Sequence, residues 1–386
     1  MSILLLIDGL IQEGDGPLEH YAPTLGRLWS NGRSGHIFLP QRKFIPEEDI
    51  FFFDLFNKEL PERQHQDLPL GFFAALGLDL QPDPTRSWGR LAFSHLRQQR
   101  EQLLFVSPHR TGQTRAEIQR LAQDLAIELA IDGWTIHSSL NEHLLISYPN
   151  PLHIRTTPLP PLDGQSILEH LPRGSDNNVL QRLLISGQLL LARHPINLER
   201  QTQHRVTLNT PWIWGVGTGP TKSPGILQLP QHATCFTTEP VVAGLARFIG
   251  FDHVFLDDFH LDLTKLTEKI AQACHQGAVL VHLTEPALLG RHGLKTQRQE
   301  SMLTLDRTFI APLRQATAAA GQTLLVSTSY GLNPQGEGHT HPVPWLTASG
   351  RELTDKPRAS FLAKLTPHQS PQNLSKPFEL AQEWLR

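Results

Sequence analysis

The sequence predicts an α/β protein, a sheet layered between helices with a smaller α+β domain inserted into it. Three observations lead there. Ile3-Leu4-Leu5-Leu6-Ile7 is an unbroken apolar run that stops at Asp8-Gly9, as a strand buried on both faces of a sheet does. From Thr234 onward, short apolar runs at 234–236, His253–Leu256 and 278–283 alternate with the helical stretches Pro240–Ile249 and Leu263–Gln276. That alternation argues a parallel sheet with helices on both faces. Between the two halves, Gln102–Val106, Arg115–Ile131 and 144–147 read as strand, helix and strand, bracketed by proline-rich segments. Such a unit marks a small inserted domain. The boundaries drawn from these shifts are 1–76 and 166–386 for a discontinuous core and 77–165 for the insert.

A chain of 386 residues has ample surface to bury one large core or two moderate ones. Lys and Arg total 34 against 37 Asp and Glu, a formal net charge of -3. No positive field is available for nucleic acid or an anionic membrane surface. The run at 3–7 is too short to span a bilayer and lacks a basic leader, so neither a membrane segment nor a signal peptide is expected, and the location expected is cytoplasmic. Cys235 and Cys274 are the only cysteines, which argues against a disulfide framework or a thiolate metal centre.

Taken in order, Asp8-Gly9 falls at the carboxyl end of the first strand, where ligands bind in open α/β sheets. Pro17-Leu18-Glu19 and Thr24-Leu25-Gly26-Arg27-Leu28 lead into a helix stopped near Asn31-Gly32. Glu47-Glu48-Asp49 supplies the acidic first turn of another helix. Ile118, Leu121, Ala122, Leu125, Ala126 and Leu129 form a helical stripe along Arg115–Ile131. Ser175, in Gly174-Ser175-Asp176, reads as the cap of a helix over 178–193. In Leu208-Asn209-Thr210-Pro211-Trp212-Ile213-Trp214-Gly215-Val216-Gly217 the two tryptophans share one face of a strand. Gly215 and Gly217 permit close backbone approach. A helix over 302–320 and the strand Thr323–Ser327 follow, then Ser329-Tyr330 and the loop Gly338-His339-Thr340-His341-Pro342-Val343-Pro344-Trp345-Leu346.

The opening block, His194-Pro195-Ile196-Asn197-Leu198-Glu199-Arg200 with the WIWG strand, and the closing His339 loop together resemble the archaeal-type, cofactor-independent phosphoglycerate mutases. These are metal-dependent members of the alkaline phosphatase superfamily. The resemblance runs in order from Met1 to about Leu346. It implies an alkaline-phosphatase-like three-layer α/β/α core with a substrate-lid-like insert. It makes Asp8 and His339 metal ligands, with His292 a third after a one-residue slip, and places Asn197, Arg200, Trp214 and Gly215 among the substrate-binding positions.

The departures are as specific as the matches. Glu48 stands where the family has its serine nucleophile, and a fixed carboxylate cannot form the same phosphoenzyme. Ala287 and Arg291 replace a metal-binding Asp and His. Ser329-Tyr330 replaces an Asp-His pair, and Glu142 replaces a phosphate-binding arginine. Loss of several ligands from a two-metal site removes both charge stabilisation and the activated nucleophile. The expectation is a degenerate, mutase-like homologue, a pseudoenzyme of the glycolytic family. It would act by binding or regulation on a protein or small-molecule partner that the sequence leaves unnamed, with no tightly bound cofactor. The alternative is an active mutase or phosphohydrolase that holds Mn, Zn, Co or Mg in a rearranged site. A third reading gives Glu48, Asp8 and the histidines a chemistry without phosphorus.

Overall fold

The computed structural model describes residues 2–31, 33–38, 47–56, 67–140, 143–159, 162–220, 227–256, 262–332, 338–339, 343–348 and 373–385. The chain forms two compact units, one of residues 1–43, 47–60 and 223–386, the other of 44–46 and 61–222. Among the described residues no helix is long and apolar enough to cross a membrane.

In the first unit seven strands lie in the order His253–Leu256, Thr234–Thr237, Val279–Leu283, Ser2–Ile7, Thr323–Ser327, Val343–Ala348, Arg33–Ile37. The first five run parallel, and the last two join antiparallel, so the sheet is mixed rather than all parallel. Every residue of Ser2–Ile7 is buried, because helices cover both faces of this central strand. Ile3, Leu5 and Ile7 pack with Leu25, Leu266, Ile270 and Met302 on one side. On the other, the helix Pro377–Leu385 lies against the strand, with the Trp384 indole donating to Ser2 O at 3.2 Å. The segment expected as one helix over 302–320 is Lys295–Leu305, a π-helical turn Asp306–Ile310, and Ala311–Ala319. The buried Asp306 carboxylate there accepts from Thr24 N at 2.9 Å and Leu25 N at 3.1 Å. It thereby caps the helix Pro23–Asn31 from outside, satisfying otherwise orphaned donors.

The second unit is wider than the 77–165 segment expected from the sequence. Its sheet runs Gln102–Val106, Ser87–Gln99, His143–Tyr148, Thr135–Leu140, and the strand Thr210–Gly217 also pairs with Ser87–Gln99. The WIWG strand therefore belongs here and not to the core. The helices Arg115–Ile131 and Asn177–Arg193 pack Leu121, Leu125, Leu180 and Leu183 onto the same sheet. The helix Leu70–Gly77 approaches so closely that a Cβ on Gly71 would meet Gly89 N at 2.3 Å. The cap of Asn177–Arg193 is Asp176, not Ser175. Its carboxylate accepts from His153 N at 2.7 Å and ties that loop down.

Candidate functional site

Four neighbouring parallel strands of the first unit deliver one polar side chain each near their carboxyl ends. Register pairs Thr237 with His282, Leu6 with His282, and Leu6 with Ser327, which brings Thr237, His282, Asp8 and Ser329 into one line. The line is a chain of hydrogen bonds. His282 Nε2 lies 2.7 Å from Asp8 Oδ2, and Ser329 donates to Asp8 Oδ1 from its hydroxyl at 2.5 Å and its backbone N at 3.3 Å. The other His282 nitrogen, Nδ1, faces the Thr237 hydroxyl at 3.1 Å, which itself accepts from Glu239 N at 3.1 Å. All four residues are buried, and the Phe52 ring meets the His282 ring edge-on at 4.7 Å. Burial pushes the Asp8 carboxyl upward. The facing His282 and the hydrogen bonds from His282 and Ser329 outweigh it and hold the carboxyl below its ordinary range.

The loop after Asp8 is fixed as firmly. Gly9 has φ +73°, and a Cβ there would meet Ala287 N at 2.4 Å. Buried Arg298 donates to Gly9 O at 2.6 Å and grips both carboxylate oxygens of Asp15. Ala287, Tyr330 and Leu332 form a small apolar cluster beside this loop. Arg291 donates to the Tyr330 hydroxyl at 2.5 Å and lies over its ring, 5.4 Å from the centroid.

The sequence-derived site residues are only partly brought together. Asp8 meets His282 and Ser329. His292 sits exposed beyond the end of the helix Glu285–Arg291, and it is not among the partners of the Asp8 carboxylate. His339 lies in the short strand Gly338–His339, opposite Gly331, and Glu48 in the helix Glu47–Phe56. The side chains of both fall outside the described residues, as do Glu142, Thr340 and His341. In the second unit, Asn197 is spent internally: its amide donates to Leu191 O and Leu208 O and accepts from Leu208 N. Arg200 is fully buried and donates to Val206 O, Thr111 O and both oxygens of Glu117. Trp214 is buried beneath Arg90, whose guanidinium lies 5.4 Å from the ring centroid. Gly215 has φ +62°, and a Cβ there would meet the Leu70 side chain at 2.7 Å. Asn197 and Arg200 thus act as internal ties, because their donors are already taken by carbonyls and a carboxylate.

His282 is the residue that sequence reasoning passed over. The signal was present, since a polar side chain inside the most apolar strand must find a partner.

A divalent metal of the kind the resemblance implies finds a poor fit among the described residues. Both Asp8 oxygens are engaged, Ala287 offers no donor atom, and the Tyr330 hydroxyl already accepts from a cation. Among the described residues, no three His, Cys, Asp or Glu side chains gather as metal ligands would.

No family model matches the chain. In sequence it is similar to the 2,3-bisphosphoglycerate-independent phosphoglycerate mutase of Methanosarcina mazei, 24% identical over 251 residues and 62% of each chain. The enzyme of Methanosarcina barkeri is 25% identical over 205 residues, 51% of each. The chain thus spans less than two thirds of the length of these curated relatives. In structure it is similar to the PH0037 protein from Pyrococcus horikoshii, with a TM-score of 0.64 and 15% identity, covering 99% of this chain and 96% of that one. The cofactor-independent phosphoglycerate mutase from Thermoplasma acidophilum superposes with a TM-score of 0.49 at 17% identity, covering 99% and 98%. In sequence the chain is thus similar to 2,3-bisphosphoglycerate-independent phosphoglycerate mutases.

Proposed function

We propose that this chain is a mutase-like protein that has given up bimetal phosphoryl transfer and works by binding or regulation. The observation that carries the reading is the engagement of the Asp8 carboxylate, which takes His282 on one oxygen and Ser329 on the other. A carboxylate must present free lone pairs to a metal, and fixed hydrogen bonds already take three of the roughly four that this one has. The neighbouring replacements point the same way. Ala287 packs with Tyr330 and Leu332, and Arg291 puts a permanent positive charge on the Tyr330 hydroxyl. A guanidinium there opposes a divalent cation by like-charge repulsion.

The test is turnover of 3-phosphoglycerate and of a general phosphate monoester, with Mn, Zn, Co and Mg supplied in turn. No conversion above the protein-free blank is expected. Turnover that requires a metal and disappears in Asp8→Asn would return the chain to the active mutases or phosphohydrolases.

A further inference from the structure

Within the second unit, the strand Thr135–Leu140 carries one residue more than its partner strand needs. It pairs Ile136 with Ile146 and Ser138 with Leu145, so His137 is the extra residue of a β-bulge. A bulge re-aims a side chain, and this one brings the imidazole to Ser147, with Nε2 2.8 Å from Oγ. Arg86 donates to the same oxygen from its guanidinium at 3.1 Å. One buried hydroxyl thus holds a guanidinium and an imidazole side by side. Trp88 pairs with Ser147 across the sheet, and its ring lies 4.6 Å from that of His137, tilted by 32°. The indole is fixed in turn by donation to Asp83 O at 3.0 Å.

Arg86 is half-buried, and its Nε is buried without a hydrogen bond to any described residue. Among the described residues no carboxylate forms an ion pair with it. Asp83 is close in sequence, but its carboxylate accepts from Thr85 N at 2.8 Å and from the Thr85 hydroxyl at 2.7 Å. The strands Ser87–Gln99, Thr135–Leu140 and His143–Tyr148 contain no Asp or Glu. A cation drawn out of water without a counter-charge is costly. The buried Ser147 hydroxyl must also place its proton, and among the described residues His137 Nε2 is the acceptor it has. The imidazole then carries its own hydrogen on Nδ1, which bonds to no described residue, and His137 is exposed. Partial burial, then the facing Arg86 charge, hold this imidazole below its ordinary range.

We infer that Arg86 and His137 form an anion site that takes a phosphate group, free or carried by a small organic ester. The guanidinium fork matches phosphate oxygens, and two adjacent donors suit an anion with several acceptor oxygens. A bound dianion also favours protonation of His137, which takes its proton from solvent, so that two positive charges meet two negative ones. The site belongs to the second unit and does not rest on the function proposed above.

Histidine resonances of the full, isotope-labelled chain, with that of His137 assigned through His137→Gln, are followed as sulfate is added to tens of millimolar. Sulfate has the shape of phosphate, and its charge stays constant over the histidine range. The His137 signal should shift saturably, and its titration should move upward in the bound state. Affinity should fall roughly tenfold as pH rises from about 5.5 to about 8, because the bound chain holds the extra proton. Arg86→Gln should abolish the saturable shift. His137→Gln, a change at an exposed position, should keep weakened binding by calorimetry and lose the pH dependence. Should Arg86→Gln not fold, the wild type and His137→Gln still decide the matter. Inorganic phosphate and glycerol phosphate, titrated at one pH, then separate the two sources by which binds more tightly. A shift that never saturates, or that persists in Arg86→Gln, marks an adventitious ion only and overturns the inference. So does a pH dependence that survives in His137→Gln.

Discussion

Asp8 is a buried carboxylate whose two oxygens are both spoken for, so its effect on stability can be read from its neighbours. Asp8→Asn keeps the volume but removes the charge facing His282 and turns an acceptor into a donor. Breaking a buried pair in this way should lower unfolding free energy by about 3 kcal/mol, measured by urea denaturation at neutral pH. The pH dependence has a definite sign. The folded pKa lies below the unfolded one, so the stabilisation is complete above the unfolded carboxylate value of about 3.9. It is lost as pH falls through the lower folded value. The wild type should therefore lose its advantage over Asp8→Asn in strong acid. Asp67 has the opposite sign. Burial pushes its carboxyl up to about 7 despite hydrogen bonds from Thr156 and Val216. Between the unfolded value of about 3.9 and that raised value the folded chain holds a proton that the unfolded chain has released, so stability declines as pH rises through the window. Asp67→Asn should flatten that decline, whatever it does to absolute stability, in denaturation curves taken at several pH values across the window.

At the scale of elements, Glu117 joins three of them. Its carboxylate closes the capping box with Thr114 at the head of Arg115–Ile131, and it also accepts from Arg200 and Arg205. Glu117→Ala should cost about 3–5 kcal/mol, because it leaves the buried Arg200 guanidinium without its counter-charge. A calorimetric melt checks this, and a loss below 1 kcal/mol would mean that Arg200 has other support. Which features were legible in the sequence follows from how local their causes are. The strand Ser2–Ile7 was plain, because burial on both faces leaves an unbroken apolar run. The stripe of Arg115–Ile131 and its neighbours was plain for the same local reason. The placement of Thr210–Gly217 was not, because its partner strand Ser87–Gln99 lies far upstream and nothing in WIWG names it. The resemblance placed Asn197 and Arg200 among the substrate-binding positions, while their partners Leu208, Val206 and Glu117 become visible only once the chain is folded. Asp8 was read correctly as a strand-end residue. Its true neighbours, His282 and Ser329, needed the register of three strands.

On the scale of the molecule, the carboxyl ends of the parallel strands are where this architecture places its chemistry. In this chain that line is occupied by a closed run of hydrogen bonds from Thr237 to Ser329. An apolar cluster and the Arg291 cation on Tyr330 flank it. The likeness to the phosphoglycerate mutases lies in the sequence and the fold, and the function proposed above holds that packing and paired charge have replaced the groups that would hold two metals. Metal content tests this claim most directly. Purified protein, dialysed in turn against Mn, Zn and Co and then against metal-free buffer, would be analysed by inductively coupled plasma mass spectrometry beside Asp8→Asn. The closed network predicts less than one tightly held ion per chain, with no difference between the two proteins. Two ions per wild-type chain, lost in Asp8→Asn, would contradict it.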